Sequence, residues 1–143
     1  MKLYLDMCAW KRPFDDQSDD RIWMESLAVI RILDLARAGN IRIMTSRALV
    51  LENNRNPKAL RRMRVSALLN AYSGPMEVSN STLTRAMHLR AKGFDDMDAL
   101  HLAFAESLGA DYFVTCDDSI ISFKRKVGVK VISPVDFLKE NAT

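Results

Sequence analysis

The sequence predicts an α/β fold: a mostly parallel sheet flanked by helices on both faces, in three α/β/α layers. Two observations predict it. Short apolar runs of strand length recur at Leu3–Leu5, Ile41–Thr45, Asp111–Thr115 and Val129–Ser133, and helical patterns fill the intervals between them. Regular alternation of strand and helix argues for parallel pairing covered by helices. At 143 residues, with 48% apolar and 27% charged residues and neither repeats nor low-complexity tracts, a single domain spanning 1–143 is expected.

The elements follow in order. Leu3–Leu5 is the first strand, and it ends on Asp6. Apolar residues at Ile22, Trp23, Leu27, Ile30 and Leu33 predict a helix over Ile22–Arg37 with a wide buried stripe, closed by Gly39. Ile41–Thr45 is the second strand, and Ser46 suits the N-cap of a helix through Glu52. Pro57 suits the first turn of a helix from Lys58 to about Tyr72, closed by Ser73-Gly74-Pro75. Met76–Ser79 is short and strand-like. Ser81 or Thr82 is placed to cap a helix reaching Lys92, and Asp95, Asp96 and Asp98 open the next, which runs to Gly109. Asp111–Thr115 is the clearest strand. A short helix near Ser119–Lys126, the strand Val129–Ser133 and a helix capped by Ser133 with Pro134 at its first position complete the chain.

Composition narrows the function classes. No apolar stretch reaches the roughly 18 residues of a membrane span, and no basic-then-apolar leader pattern opens the chain, so a cytoplasmic location is expected. Cys8 and Cys116 belong to no CxxC pair and read as reduced thiols. The net charge of +3 and pI near 9.0 are mildly basic. The distribution is uneven, with cations crowded into Arg55–Arg64 and Lys124–Lys126.

Ligands of parallel α/β folds bind beyond the carboxyl ends of the strands. Asp6 ends the first strand there, and Asp117 follows the Asp111–Thr115 strand. Glu52 lies about two helical turns past the second strand, and Asp98 sits in the first turn of its helix. Carboxylates gathered from four distant segments repel, and a divalent cation removes that conflict. Oxygen ligands favour Mg²⁺ or Mn²⁺ over zinc. The chemistry expected is phosphoryl transfer to water, with the metal polarising the phosphate and lowering the pKa of a bound water. Asp118, beside Asp117, is a further candidate ligand or water-positioning group. His88 and His101 are left outside the site.

The segments LYLDMCAW (Leu3–Trp10), SRALVLENN (Ser46–Asn54), DDMDALHLAFAESLGADYFVTCDD (Asp95–Asp118) and VISPVDFL (Val131–Leu138) resemble, in order and over nearly the whole chain, the PIN domain of VapC-type ribonuclease toxins. The resemblance implies a metal and catalytic site of Asp6, Glu52, Asp98 and Asp117, braced by the Thr115 hydroxyl. It also implies RNA as substrate, a small antitoxin as partner, and a homodimer. One departure is Cys8, where the family often carries Asn or Ser; a thiol is a poor hydrogen-bond partner, which puts the contact at that position in question. Arg55, Lys58, Arg61 and Arg62 are candidates for the RNA backbone, and Trp10 to Arg12 for stacking and backbone contacts. Two alternatives stand beside the ribonuclease: a catalytically silent PIN fold that binds RNA or protein, and an aspartyl-phosphate phosphatase. The latter requires a second Asp where Cys8 stands.

Overall fold

The computed structural model of the protein describes residues 1–123 and 127–141, so the Lys124–Lys126 cluster and the end of the helix expected near Ser119–Lys126 lie outside the described residues. The strands are β1 (Lys2–Leu5), β2 (Arg42–Met44), β3 (Tyr112–Val114) and β4 (Lys130–Ile132), in the order β2-β1-β3-β4, and every neighbouring pair is parallel. The helices are α1 (Met7–Lys11), α2 (Asp20–Arg37), α3 (Arg47–Asn54), α4 (Ala59–Leu69), α5 (Asn80–Ala91), α6 (Asp96–Ser107), α7 (Asp118–Ser122) and α8 (Pro134–Glu140). They flank the sheet in a three-layer α/β/α arrangement.

Leu3, Tyr4 and Leu5 of β1 are wholly buried, the behaviour of a central strand covered on both faces rather than one. The sheet grows from β1 in opposite directions, to β2 on one side and to β3 and β4 on the other. That reversal opens a crevice between the carboxyl ends of β1 and β3. The ladder continues past both strands: the Asp6 amide donates to the Val114 carbonyl at 2.9 Å, and the Thr115 amide to the Ile132 carbonyl at 2.9 Å. Main-chain bonds thus hold the first residues beyond the strands as firmly as the strands themselves.

Trp10 belongs to the core and not to an RNA-stacking surface. It is fully buried, its indole N–H donates to the Leu5 carbonyl at 3.0 Å, and its ring packs 5.5 Å from that of Tyr72. Two local readings are also corrected. Met76–Ser79 forms no strand: the loop before it crosses the end of β2, where Thr45 N–H donates to the Ser73 carbonyl at 3.2 Å and Arg47 N–H to the Pro75 carbonyl at 2.8 Å. Met76 and Val78 are exposed, so no sheet face buries their apolar surface. The cap of α5 is Ser79, whose hydroxyl accepts the Thr82 N–H at 3.2 Å, rather than Ser81 or Thr82.

The same crossing explains Gly74. A Cβ at this position would fall 1.5 Å from the Thr45 carbonyl oxygen, a backbone atom with no freedom to retreat without distorting the end of β2. Gly74→Ala is therefore expected to destabilise the protein by about 3 kcal/mol or more, at the upper end of overpacking penalties, read as a lowered urea midpoint at unchanged slope.

Candidate metal centre

Asp6 is nearly buried and both its carboxylate oxygens are engaged. Oδ1 accepts the Met7 N–H at 2.8 Å and so caps α1, while Oδ2 accepts the Thr115 hydroxyl at 2.8 Å. The Thr115 oxygen in turn accepts the Asp117 N–H at 3.1 Å. One buried hydroxyl therefore ties the end of β1 to the end of β3, donating once and accepting once.

Cys8 fills a role that a thiol was not expected to fill. Its sulfur accepts the Cys116 N–H at 3.1 Å and lies 3.4 Å from Asp6 Oδ2 and 3.3 Å from Thr115 Oγ1. Burial makes these weak contacts count: the thiol is pushed well above its usual range by its contact with Cys116, by burial and by the Asp6 charge. It serves as a neutral spacer packed against the carboxylate.

Helices α3 and α6 bring the next groups. A carboxylate oxygen of Asp6, one of Glu52 and a ring nitrogen of His101 all lie within 4.8 Å of one another. Asp98, half-buried in the first turn of α6, has its pKa raised to about 7, first by burial, then by the charge of Asp6, the charge and hydrogen bond of Asp95, and the charge of Asp117. Asp6 and Asp117 are thus close enough to Asp98 for their charges to oppose its ionisation. Asp117 also caps α7, its Oδ1 accepting the N–H of Ser119 at 2.9 Å and its hydroxyl at 2.7 Å.

His101 is the residue that the sequence reading passed over. It is wholly buried, with Nε2 2.9 Å from Glu52 Oε1 and Nδ1 2.7 Å from the Tyr4 hydroxyl. That hydroxyl lies 2.6 Å from Ser46 Oγ, so Ser46 starts α3 with its side chain turned to Tyr4 instead of capping the helix. The available signal was spacing: His101 follows Asp98 by three residues, which puts both on one side of α6. His88, by contrast, is exposed on α5.

Other predicted residues lie elsewhere. Asp118 is exposed and accepts with both oxygens from Arg21, at 2.9 and 2.8 Å, which makes it a link between α7 and α2. Arg61 pairs with Asp15 at 2.8 Å, and Arg62 donates to the Asn56 carbonyl at 2.7 Å. Arg62 thus closes the α3–α4 junction, and Arg61 ties α4 to the residue that follows Arg12–Phe14. Arg55 and Lys58 are exposed. Beside Glu52 is a cleft of about 200 Å³ lined in part by Lys11, Arg55 and Arg61. Among the described residues, no helix is long and apolar enough to cross a membrane.

No family model matches the chain, and no characterised protein matches it in sequence. Solved structures share its architecture, two of them as follows. VapBC2 from Rickettsia felis, crystallised bound to a DNA fragment from its promoter, aligns with a TM-score of 0.63 at 16% identity, over 93% of this chain and 98% of that one. FitAcB from Neisseria gonorrhoeae aligns with a TM-score of 0.59 at 16% identity, over the same 93% and 98%. At this identity the likeness shows the fold alone. It corrects the resemblance drawn from the motifs. The chain has a PIN-like three-layer α/β/α fold, but assignment to the VapC-like family is withdrawn, because no family model supports it and four parallel strands are too general to specify it.

The crowding of Asp98 has a measurable sign. Its folded pKa lies above its ordinary value of 3.8, so its contribution to stability is fully present below about pH 4 and is lost as pH rises through about 7. In chelator, the stability advantage of Asp98→Asn over the parent protein is expected to grow between pH 4 and 7. Paired urea unfolding curves measure it, and a constant difference across that window would contradict the crowding.

Proposed function

We propose that the protein is a metal-dependent ribonuclease, using Asp6, Glu52, Asp98 and Asp117 with Mg²⁺ or Mn²⁺ to hydrolyse RNA phosphodiester bonds. The observation that carries this reading is the gathering of these acids at the β1–β3 crevice, with Asp98 raised to about pKa 7 by burial and by its acidic neighbours. Their chemistry fits a hard cation. The donors are carboxylate oxygens, and both nitrogens of the adjacent His101 are already held by Tyr4 and Glu52. When bound, the cation supplies charge neutralisation at the phosphate and a more acidic bound water.

The chain's own residues do the rest. The Met7 amide and the Thr115 hydroxyl hold Asp6 from two directions, which orients the carboxylate before any ligand arrives. Asp98, its pKa raised to about 7 by burial and by the charge of Asp6, is the acid whose ionised form a cation held there would favour most. Lys11 and Arg55 line the cleft beside Glu52, placed to lead a phosphate backbone to it.

A toxin–antitoxin setting fits the same reading. VapBC2 and FitAcB, two of the solved structures sharing the fold, are toxin–antitoxin complexes. Trp23, Leu27 and Ile30 recur along one side of α2, each roughly half exposed, and Leu60 and Met63 of α4 are more so. Apolar surface of this extent supports a protein partner, an antitoxin or a second copy of the chain.

Asp6→Asn and Asp117→Asn should each lower Mn²⁺-dependent cleavage of a mixed-sequence RNA by roughly 100-fold or more, the scale of removing one charge-stabilising group from an active site. Cleavage that persists in chelator, or is unchanged in both variants, would sink the proposal. Calorimetry showing no Mn²⁺ binding at millimolar concentration would point instead to a non-catalytic binding module.

A further inference from the structure

We infer that His101 is a positioning residue: its ring holds Glu52 in the orientation that binds metal, and a buried hydroxyl pair, Tyr4 and Ser46, holds the ring. The inference rests on the metal-centre reading and assigns a role to groups outside the carboxylate set. Three contacts form one line across β1, α3 and α6: Ser46 Oγ to Tyr4 OH at 2.6 Å, Tyr4 OH to His101 Nδ1 at 2.7 Å, and His101 Nε2 to Glu52 Oε1 at 2.9 Å.

Ser46, Tyr4 and His101 are all 0% exposed, whereas the Glu52 side chain is 29% exposed. The line therefore runs from a dry interior to the edge of the crevice, with Glu52 at its wet end. No water reaches the inner three groups, so each must find its partner in the protein, and this sets the direction of donation. A carboxylate only accepts, which requires Nε2–H on His101. In the neutral ring Nδ1 then accepts from the Tyr4 hydroxyl, whose oxygen accepts from Ser46; in the imidazolium both ring nitrogens donate, and Nε2–H faces Glu52 in either form.

The arrangement leaves Oε2 of Glu52 unclaimed by His101. A histidine that fixes one oxygen of a ligating carboxylate presents the other in a single direction, as outer-sphere partners of metal sites do. Ser46 adds a second constraint, because it opens the helix that carries Glu52. The interior end of the line and the ligand it positions are thus built into the same element.

The test measures Mn²⁺ affinity of the full chain by calorimetry. His101→Phe removes the donor and should weaken binding by about 10- to 100-fold, the usual effect of losing such a partner, while His101→Gln, which restores an N–H to Glu52, should recover most of it. In a Glu52→Gln background the His101→Phe change should have little further effect, since both act through one group. A His101→Phe protein that melts earlier yet binds Mn²⁺ within twofold of the parent would reduce His101 to a core residue and overturn the inference. Nitrogen-15 spectra of the parent protein in chelator supply an arm independent of metal and of any variant's folding. An Nε2–H is expected, in the neutral ring or the imidazolium, and a neutral ring with its proton on Nδ1 would overturn the inference. Absence of Mn²⁺ binding by a parent protein that shows the Nε2–H would overturn the metal centre and, with it, the role assigned to His101, while leaving the hydrogen-bond line standing.

Discussion

The Thr115 hydroxyl donates to Asp6 across the seam between β1 and β3, and this bond at 2.8 Å is where the sheet becomes a site. It exists because Leu5 pairs with Val114, which sets the next residue of each strand side by side. A slip of one residue in that register would turn every β1 side chain to the opposite face and carry Asp6 out of the crevice. Because the hydroxyl also accepts the Asp117 amide, the placement of two acids depends on one oxygen. Buried charge at Asp6 then raises the energy of any further carboxylate brought close, and Asp98 bears that strain in its raised pKa. Register, hydrogen bonding and electrostatics are here one constraint.

Around this centre, cations decide which acids remain available. Glu25 of α2 is nearly buried and lies 3.2 Å from Arg12 and 3.5 Å from Arg21, while Arg12 also reaches Asp15 at 3.1 Å. Asp15 is shared with Arg61, and Asp118 is taken by Arg21. The Arg21–Asp118 pair is exposed and screened by solvent, so its importance lies in where it puts Asp118. The Arg12–Glu25 pair is far less exposed, and each member keeps a second partner, Arg21 for Glu25 and Asp15 for Arg12, so the charges form a chain and not an isolated pair. These pairs pin the Arg12–Phe14 turn and α2 to the rest of the fold.

The alternation of strand and helix was legible because each strand carries a compact apolar run and most helices begin on a recognisable cap. Ser133 before Pro134 is one such case: its hydroxyl accepts the Asp136 N–H at 3.1 Å. Asp95 before α6 is another, accepting the Asp98 N–H at 2.8 Å. Asp6, Glu52, Asp98 and Asp117 were legible as a group because the carboxyl edge of a parallel sheet is a known location and each stands close to it in the chain. Met76–Ser79 misled because a short apolar stretch implies a strand only if an edge is present to receive it. Ser46 misled differently, since a capping residue type was diverted by a better partner, Tyr4, in the packed interior.

By itself the sequence determined the fold class, the four strands and most of the helices between them, because these follow from periodicity, capping and position along the chain. Tertiary structure alone decided which side chains are spoken for. Arg61 finds Asp15 across 46 residues and Arg21 finds Asp118 across 97, while His101 reaches Tyr4 across 97 and Glu52 across 49. Whether a charged or polar group serves a ligand or a neighbour depends on distances of about 3 Å between residues far apart in the chain, and no local pattern encodes them.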